Sequence, residues 1–362
     1  MDKPSRRSRG TVTIEDVARS AGVSAMTVSR VINKERNVRD KTRERVMEAI
    51  QALNYSPNMA ARSLAAGDAT HFGLLYSNPS AAYLSQFLVG ALDAARRAGS
   101  HLVIEACEGE DEEAQTEAAR HIGDADVEGV ILPPPLSESV AILTELARSE
   151  TPVVTVAMGN PYENALNVRI DDFAAAAEMT NFLINLGHRR IGLIRGHPQQ
   201  TASAERERGF RAAASTAGLD PADIAVEQGY FTFRSGLEAA EKLLERPRRP
   251  TAIFASNDDM AAAVVSVAHR RGLDVPLDLS VVGFDDTAPA TTVWPELTTI
   301  RQPVAAMAAA ALELLLTEVR SRRHGLPPAP AERVFKHELI VRESSAPPPQ
   351  LARTGNGGLR RA

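Results

Sequence analysis

The sequence is poor in cysteine and has no long apolar run. Cys107 is the single cysteine among 362 residues, which excludes an intramolecular disulfide and argues against an oxidising compartment. No stretch approaches the roughly 20 apolar residues that a membrane span requires. The basic N-terminus also lacks the apolar segment of a secretory signal. We therefore expect a soluble, cytoplasmic protein that has no membrane partner, in which Cys107 is a buried strand residue.

The motifs of common enzymes are also missing. The sequence contains no glycine-rich phosphate loop of Walker type, no His/Cys cluster at metal-ligand spacing and no nucleophile elbow. The eight histidines are dispersed, and His188 is interpreted as a turn residue. These absences argue against an enzyme and predict neither a metal site nor a cofactor.

Charge is divided unevenly along the chain. Residues 1–66 carry 13 Lys and Arg against 7 Asp and Glu, a net charge of +6; because the whole chain carries −5, the remainder carries −11. A basic head can attract a phosphate backbone while an acidic body does not bind to it. The length suits a small domain followed by a large two-lobed one.

Two short helical patterns joined by Gly22 occupy residues 13–33. Thr13 and Ser24 are positioned to cap the two helices. The first helix has an apolar face at helical spacing, formed by Ile14, Val17, Ala18 and Ala21. The second helix buries Val28, Val31 and Ile32 and presents an outward stripe of Met26, Ser29, Arg30 and Asn33. A third apolar stripe follows Asp40, so the sequence predicts a three-helix domain whose second helix suits a major groove.

The run TIEDVARSAGVSAMTVSRVIN, followed by VRDKTRERVMEAIQALNYSPNMAARSLAAG, resembles the DNA-binding headpiece of the lactose-repressor (LacI/GalR) family over residues 11 to about 67. The resemblance implies base recognition mainly by Ala25, Met26 and Arg30. It places four side chains nearer to phosphates: Ser24, Thr27, Ser29 and Asn33. Because Ala25 and Met26 can contact only a thymine methyl, Arg30 is expected to carry the hydrogen-bonded discrimination. Arg36 either contacts the backbone or is solvated.

Residues 57–64, PNMAARSL, resemble the hinge helix of the same family. The segment is shorter than the roughly 12 to 15 residues below which an isolated helix is marginal in water, so it needs a partner to fold. Ala61 allows close approach, and Leu64 can wedge between base pairs in the minor groove. The resemblance implies a homodimer on double-stranded, pseudopalindromic operator DNA.

After the headpiece, apolar runs alternate with helical patterns. The runs begin at His71, His101, Val127, Thr151, Arg190, Thr251 and Leu279. Continuous apolar strands are buried on both faces, which indicates parallel sheets flanked by helices. In such sheets ligands bind at the carboxyl ends of the strands.

This part of the chain resembles the family's effector domain, as far as about Arg342, in INLGHRRIGLI, RPTAIFASND, GLDVPLDLSVVGFDD and PELTTIRQP. The resemblance implies a two-lobed α/β domain, like a periplasmic sugar-binding protein, behind a small all-α helix-turn-helix headpiece. It implies a small-molecule effector, expected to be a sugar, held by Tyr83, Gln200, Arg206, Phe231, Asn257, Asp285 and Gln302.

Each of these ligand residues also has an ordinary interpretation. Arg206 lies in the charge run 205–208, which on its own is typical of a solvated helix face. Asn257 and Asp285 suit helix caps or turns, and Phe231 suits plain packing. The chain departs from the family at Ala157, where an acidic residue often contacts the ligand. Gln200 lacks the arginine charge expected for a purine ligand.

The predicted organisation has five parts. Residues 1–10 form a flexible basic N-terminus, 11–56 the DNA-binding domain, 57–67 the hinge, 68–342 the effector-binding and dimerisation domain, and 343–362 a disordered tail. The tail lacks an apolar heptad, so we expect a dimer without tetramerisation. We predict a repressor released from its operator by a small sugar inducer. A purine-like corepressor, a phosphoprotein partner and an activator remain open alternatives, and an enzyme with a DNA-binding head is a remote one.

Overall fold

The computed structural model describes residues 14–32, 39–53, 70–109, 111–162 and 165–349. The chain divides into two compact units, Met1–Asp68 and Ala69–Ala362. Several sequence predictions lie outside the described residues: those for residues 1–10, Thr13, Asn33, Arg36, the hinge with Ala61 and Leu64, and residues 350–362.

The first unit contains three helices, α1 (Ile14–Ala21), α2 (Ala25–Ile32) and α3 (Asp40–Ala52). Their apolar faces meet in a small core, in which Val17, Val28 and Val46 are fully buried. Gly22 has a left-handed φ of 62°, which a residue without Cβ adopts at no steric cost. The predicted two-helix turn is therefore confirmed in this unit.

The second unit has two lobes, each built on a six-stranded sheet. The strands of the first lobe are β1 (His71–Tyr76), β2 (His101–Ala106), β3 (Val130–Leu132), β4 (Val153–Val156), β5 (Leu166–Ile170) and β11 (Glu332–Phe335). They run in the order β11-β5-β4-β3-β1-β2, and all pairs are parallel. The helices of this lobe are α4 (Ala81–Ala98), α5 (Glu112–Asp124), α6 (Val140–Arg148) and α12 (Val304–His324).

The strands of the second lobe are β6 (Ile191–Arg195), β7 (Ile224–Gln228), β8 (Ala252–Ala255), β9 (Ser280–Asp285), β10 (Thr298–Arg301) and β12 (Glu338–Ile340). Their order is β12-β10-β9-β8-β6-β7, with β12 antiparallel and the other pairs parallel. The helices are α7 (Asp172–Asn185), α8 (Thr201–Thr216), α9 (Phe233–Glu245), α10 (Asp258–Arg270) and the short α11 (Pro289–Thr292). Single 3-10 turns lie at Leu136–Glu138 and Pro221–Asp223.

The described chain passes between the lobes three times: from β5 into α7, from β10 into α12, and from β11 into β12. Each lobe is therefore assembled from segments far apart in sequence. The α/β architecture with parallel sheets that the apolar runs predict, and the two lobes that the family resemblance implies, are both confirmed. All seven predicted runs contain a strand.

Two residue predictions need correction. Cys107 is buried, as expected, but it follows the last residue of β2, and its Sγ contacts the Gly109 carbonyl oxygen at 3.4 Å. Strand β2 lies at the edge of the sheet, next to β1, and its side chains are exposed or only partly buried. His188 lies after α7 but is fully buried, with Nδ1 2.8 Å from Thr251 Oγ1 and Nε2 2.9 Å from the Ala346 carbonyl oxygen.

The predicted disordered tail is wrong for its first residues. Ser344 is fully buried; its Oγ accepts from Thr298 N at 2.9 Å and donates to the Val281 carbonyl at 2.5 Å. Ala346 N donates to Ser280 Oγ at 3.0 Å. The segment from Ser344 to Ala346, which we call the strap, is thus hydrogen-bonded to the amino ends of β9 and β10. The composition of the tail did not indicate these contacts.

Candidate functional site

The second helix of the first unit presents a polar end and an exposed outer face. Ser24 Oγ accepts a hydrogen bond from Thr27 N at 3.2 Å and lies 2.9 Å from Thr27 Oγ1, so it caps α2 as predicted. Met26 is 65% exposed and Arg30 is exposed, whereas Ala25 packs partly against the helical core. Ser29 belongs to the same helix, and its side chain lies outside the described part of the structure.

Sequence reasoning missed Arg45, a residue of α3. Its guanidinium donates to the Ala21 carbonyl oxygen at the end of α1. A Cβ on Gly22 would lie 2.8 Å from Arg45 Nη2, a contact that the flexible end of the arginine can relieve, so the left-handed φ remains the reason for glycine in the turn. The cap of α1 therefore comes from a residue 24 positions further along the chain, a contact that no local pattern encodes.

In the second unit, one cavity of about 40 Å³ lies between the lobes, where carboxyl ends of strands from both sheets face each other. Its walls include every residue predicted to hold a ligand: Tyr83, Gln200, Arg206, Phe231, Asn257, Asp285 and Gln302. Ala157 lines it too, together with Asn78 and Ser80, which the sequence analysis did not single out. The volume is that of a few water molecules, so a sugar-sized molecule requires the lobes or the lining side chains to move.

Arg206 projects from α8 into this cavity and is buried rather than solvated. Its Nε donates to Asp172 Oδ1 at 2.8 Å and its Nη1 to the Ser256 carbonyl at 2.6 Å. The guanidinium carbon lies 3.6 Å from the centre of the Phe284 ring, in a cation–π contact. Three separate parts of the chain thus fix the guanidinium in one orientation, which prepares its remaining donors for a ligand.

Asp285 closes the same wall at the end of β9. Its Oδ1 accepts from Gln302 Nε2 at 2.6 Å and lies 3.9 Å from Arg206 Nη1. Burial raises the pKa of Asp285 from 3.8 to about 7, against the opposing effect of Arg206. The carboxyl group therefore changes its charge close to neutral pH.

Two further buried carboxyl groups support this wall. Asp258 accepts from Thr287 N at 2.7 Å and from Thr299 Oγ1 at 2.7 Å, and burial raises its pKa well above the ordinary range. Burial also raises the pKa of Asp172, although Arg206 acts in the opposite direction. One guanidinium thus lies next to two buried carboxyl groups, those of Asp172 and Asp285.

Phe231 and Asn257 act together. Asn257 Oδ1 caps α10 by accepting from Met260 N at 3.0 Å, and its Nδ2 donates to the Phe231 carbonyl at 2.9 Å. The Phe231 ring covers Gly196, where a Cβ would lie 1.9 Å from the ring. Asn257 is therefore a helix cap that also fixes the aromatic wall of the cavity.

Three residues that line the cavity have left-handed φ angles although none is glycine: Ala157 at 57°, Phe231 at 61° and Asp285 at 108°. Such angles cost of order 1–3 kcal/mol each and concentrate at ligand sites. Two polar atoms in the same walls, Tyr83 Oη and Gln302 Oε1, are buried without a hydrogen-bond partner in the described structure. Burial raises the pKa of Tyr83, so its hydroxyl stays protonated and able to donate.

Other classes of site find no support among the residues that the structure describes. Those residues contain no group of three or more His, Cys, Asp or Glu side chains arranged to hold a metal ion. In the same described part of the chain, no helix has the length and apolarity needed to cross a membrane.

A helix-turn-helix unit with an exposed recognition face, followed by a two-lobed unit with a polar cavity between its lobes, defines a ligand-responsive DNA-binding regulator. Comparison with known proteins agrees with this class. Residues 13–58 match the family model described as bacterial regulatory proteins, lacI family, and residues 180–345 match that of a periplasmic binding protein-like domain.

Relatives and solved structures cover nearly the whole chain. Catabolite control protein A of Priestia megaterium is 36% identical over 84% of this chain and 91% of its own length. A transcriptional regulator CelR–cellobiose complex matches 92% of this chain and 100% of that chain, with a TM-score of 0.70 and 30% identity. The lac repressor dimer bound to operator and the anti-inducer ONPF matches 93% of this chain and 100% of that chain, with a TM-score of 0.68 and 28% identity. The chain belongs to the LacI family of DNA-binding transcriptional regulators.

Proposed function

We propose that the protein is a dimeric repressor that leaves its operator when a small, uncharged sugar binds between the two lobes. The observation that carries this proposal is the cavity itself. It combines a fixed guanidinium, a carboxyl group, an aromatic wall and two unpartnered polar atoms in one place. Paired hydroxyls of a sugar suit the carboxyl and guanidinium groups, and the C–H face of a sugar ring suits Phe231.

Charge favours a neutral ligand over an anionic one. The charge of Arg206 is already matched by Asp172 at 2.8 Å, and Asp285 lies next to it. Gln200, which lines the same cavity, supplies an amide instead of a further positive charge. The similar CelR structure contains cellobiose, which supports a sugar at this site.

The same proposal extends to DNA. Met26 and Arg30 face outward from the capped helix α2, and the similar lac repressor binds operator as a dimer. We assign base contacts to Ala25, Met26 and Arg30 and expect the symmetric hinge segments to insert Leu64 into the minor groove. The protein would act in the cytoplasm, where operator DNA is accessible, and would perform no catalysis.

Substitution of Arg30 tests the DNA part. Arg30→Ala should weaken operator binding by about 1–3 kcal/mol and relax the preference for guanine at one position in each half-site. The measurement is fluorescence anisotropy at fixed salt with a fragment from upstream of the gene and with single-base variants of it. Arg234→Ala, which removes the same charge from a 92% exposed side chain in the second lobe, is the matched control. Equal discrimination by Arg30→Ala and wild type would contradict the assignment.

A further inference from the structure

Several hydrogen bonds join the two lobes outside the residues assigned to the ligand, one of them from Gln86 Nε2 to the Asp286 carbonyl oxygen at 3.2 Å. On one rim, Ser80 of the first lobe donates from Oγ to Asp259 Oδ2 of the second lobe at 2.5 Å. Ser80 also caps α4, because its Oγ accepts from Tyr83 N at 3.3 Å. This contact connects the start of α4 to the start of α10 across the mouth of the cleft.

The other rim contains a more extensive contact. Both carboxylate oxygens of Glu138, in the first lobe, accept from Thr201 N at 2.8 and 3.0 Å. Thr201 Oγ1 donates to Glu138 Oε1 at 3.0 Å and accepts from the backbone N–H groups of Gly159 and Asn160 at 2.9 and 3.1 Å. The backbones approach so closely that a Cβ on Gly159 would lie 2.6 Å from the Thr201 carbonyl carbon.

Glu138 replaces a cap that α8 lacks. The residue at the N-cap position, Gln200, makes no side-chain capping hydrogen bond, so the first amide of the helix depends on a carboxylate from the opposite lobe. A negative charge at this position is also favoured by the helix dipole. Because α8 carries Arg206, the contact fixes the ligand-facing guanidinium relative to the first lobe.

We propose that Glu138 and Thr201 form an interlobe latch, assisted by Ser80 and Asp259 on the opposite rim, that holds the two lobes against each other. Glu138 is thus a positioning residue: it acts on the cleft through α8. Any effect of the latch on ligand affinity rests on the proposed function. Since the cavity holds only about 40 Å³, a ligand requires the lobes or the lining side chains to move, and any separation of the lobes would break the latch.

Amide hydrogen exchange of the ligand-free, full-length protein tests the latch directly. Glu138→Ala should accelerate exchange of the Thr201 amide roughly tenfold or more, the loss expected when a hydrogen bond to a charged group is removed. Exchange of the Gly159 and Asn160 amides should also accelerate, because their acceptor, Thr201 Oγ1, loses its own bond to Glu138. Glu138→Gln keeps one acceptor for the Thr201 amide and should restore part of the protection. Glu145→Ala is the matched control, because Glu145 pairs with Arg120 and Arg148 inside the same lobe. Unchanged exchange in Glu138→Ala would overturn the proposal.

A second variant separates the latch from general loss of folding. Thr201→Val keeps the shape of the side chain but removes the hydroxyl, so it should expose the Gly159 and Asn160 amides while amides in the centre of β3 and β8 keep wild-type exchange. Acceleration throughout both lobes would contradict a local latch. The latch and the proposed function can fail separately. If Glu138→Ala accelerates exchange but sugars do not change operator binding, the latch proposal stands and the sugar effector is rejected.

Discussion

Arg206 is the single residue on which the geometry of the cavity depends most. Arg206→Met leaves Asp172 buried without its guanidinium partner, and breaking such a pair costs about 3–5 kcal/mol. We therefore expect a strong decrease in the free energy of unfolding, measured by urea denaturation. Arg208→Met, two residues along the same helix, removes a surface pair with Glu205 and should cost less than about 1 kcal/mol.

A double variant identifies the cause of that loss. Asp172→Asn added to Arg206→Met removes the unpaired buried charge and should recover part of the stability, whereas ligand binding should remain lost. Additive effects of the two substitutions would contradict the coupling between these residues.

The raised pKa of Asp285 predicts how the free energy of unfolding depends on pH. Its pKa is about 7 in the folded protein against 3.8 as the ordinary value, so the folded state holds the proton more tightly than the unfolded state. The stabilisation is complete below the ordinary pKa and is lost as the pH rises toward 7. Relative to Asp285→Asn, the wild type should lose about 2 kcal/mol of stability between pH 5 and pH 8. Urea denaturation across this range measures it, and a difference between the two proteins that does not change with pH would contradict the assignment.

Among the elements, the strap from Ser344 to Ala346 should contribute more to stability than its position near the end of the chain suggests. Ser344→Ala leaves Thr298 N without its buried acceptor, which costs about 1–3 kcal/mol. Thermal unfolding of the full chain measures the effect. The control is Ser149→Ala, because Ser149 lies on the surface of the first lobe and its hydroxyl bonds only to near neighbours, the Leu146 carbonyl and Thr151 Oγ1. Equal melting temperatures for the two variants would contradict a structural role of the strap.

Strands with continuous apolar runs could be predicted from sequence, whereas the edge strands β7, β11 and β12 and the inner strands β5 and β10 could not. The strands β3, β4, β8 and β9 are buried on both faces and give continuous apolar runs. The edge strands β7, β11 and β12 are short, partly exposed and rich in polar residues, so they lack that pattern. β5 and β10 contain buried polar residues and were missed for the same reason.

Around the cavity, too, some residues could be predicted from local sequence patterns and others could not. Positions that face the cavity from strand ends were predicted, and the structure brings them together. Their supports were not: Asp172, Ser256 and Phe284 all hold Arg206, yet they lie on three different elements. Glu138 was missed because its partner, Thr201, belongs to the other lobe. Contacts between distant segments have no signature in local spacing.

At the scale of the whole molecule, function requires that a change between the lobes alters DNA binding. A ligand can shift operator affinity only by its different affinity for two arrangements of the protein, typically 1–3 kcal/mol, or about 5- to 150-fold. The latch at Glu138 and Thr201 supplies one such arrangement, since it fixes α8 and Arg206 against the first lobe. A ligand that holds or breaks this contact would bias the two hinge segments of a dimer.

The most direct test is operator binding by the wild-type protein with and without defined ligands. A labelled fragment from upstream of the gene is titrated by fluorescence anisotropy at fixed salt, alone and with cellobiose, lactose, glucose or hypoxanthine. We predict tight binding without ligand and a 5- to 150-fold loss of affinity with one of the sugars. Tighter binding with any ligand, or the same affinity with all of them, would contradict a repressor released by a sugar.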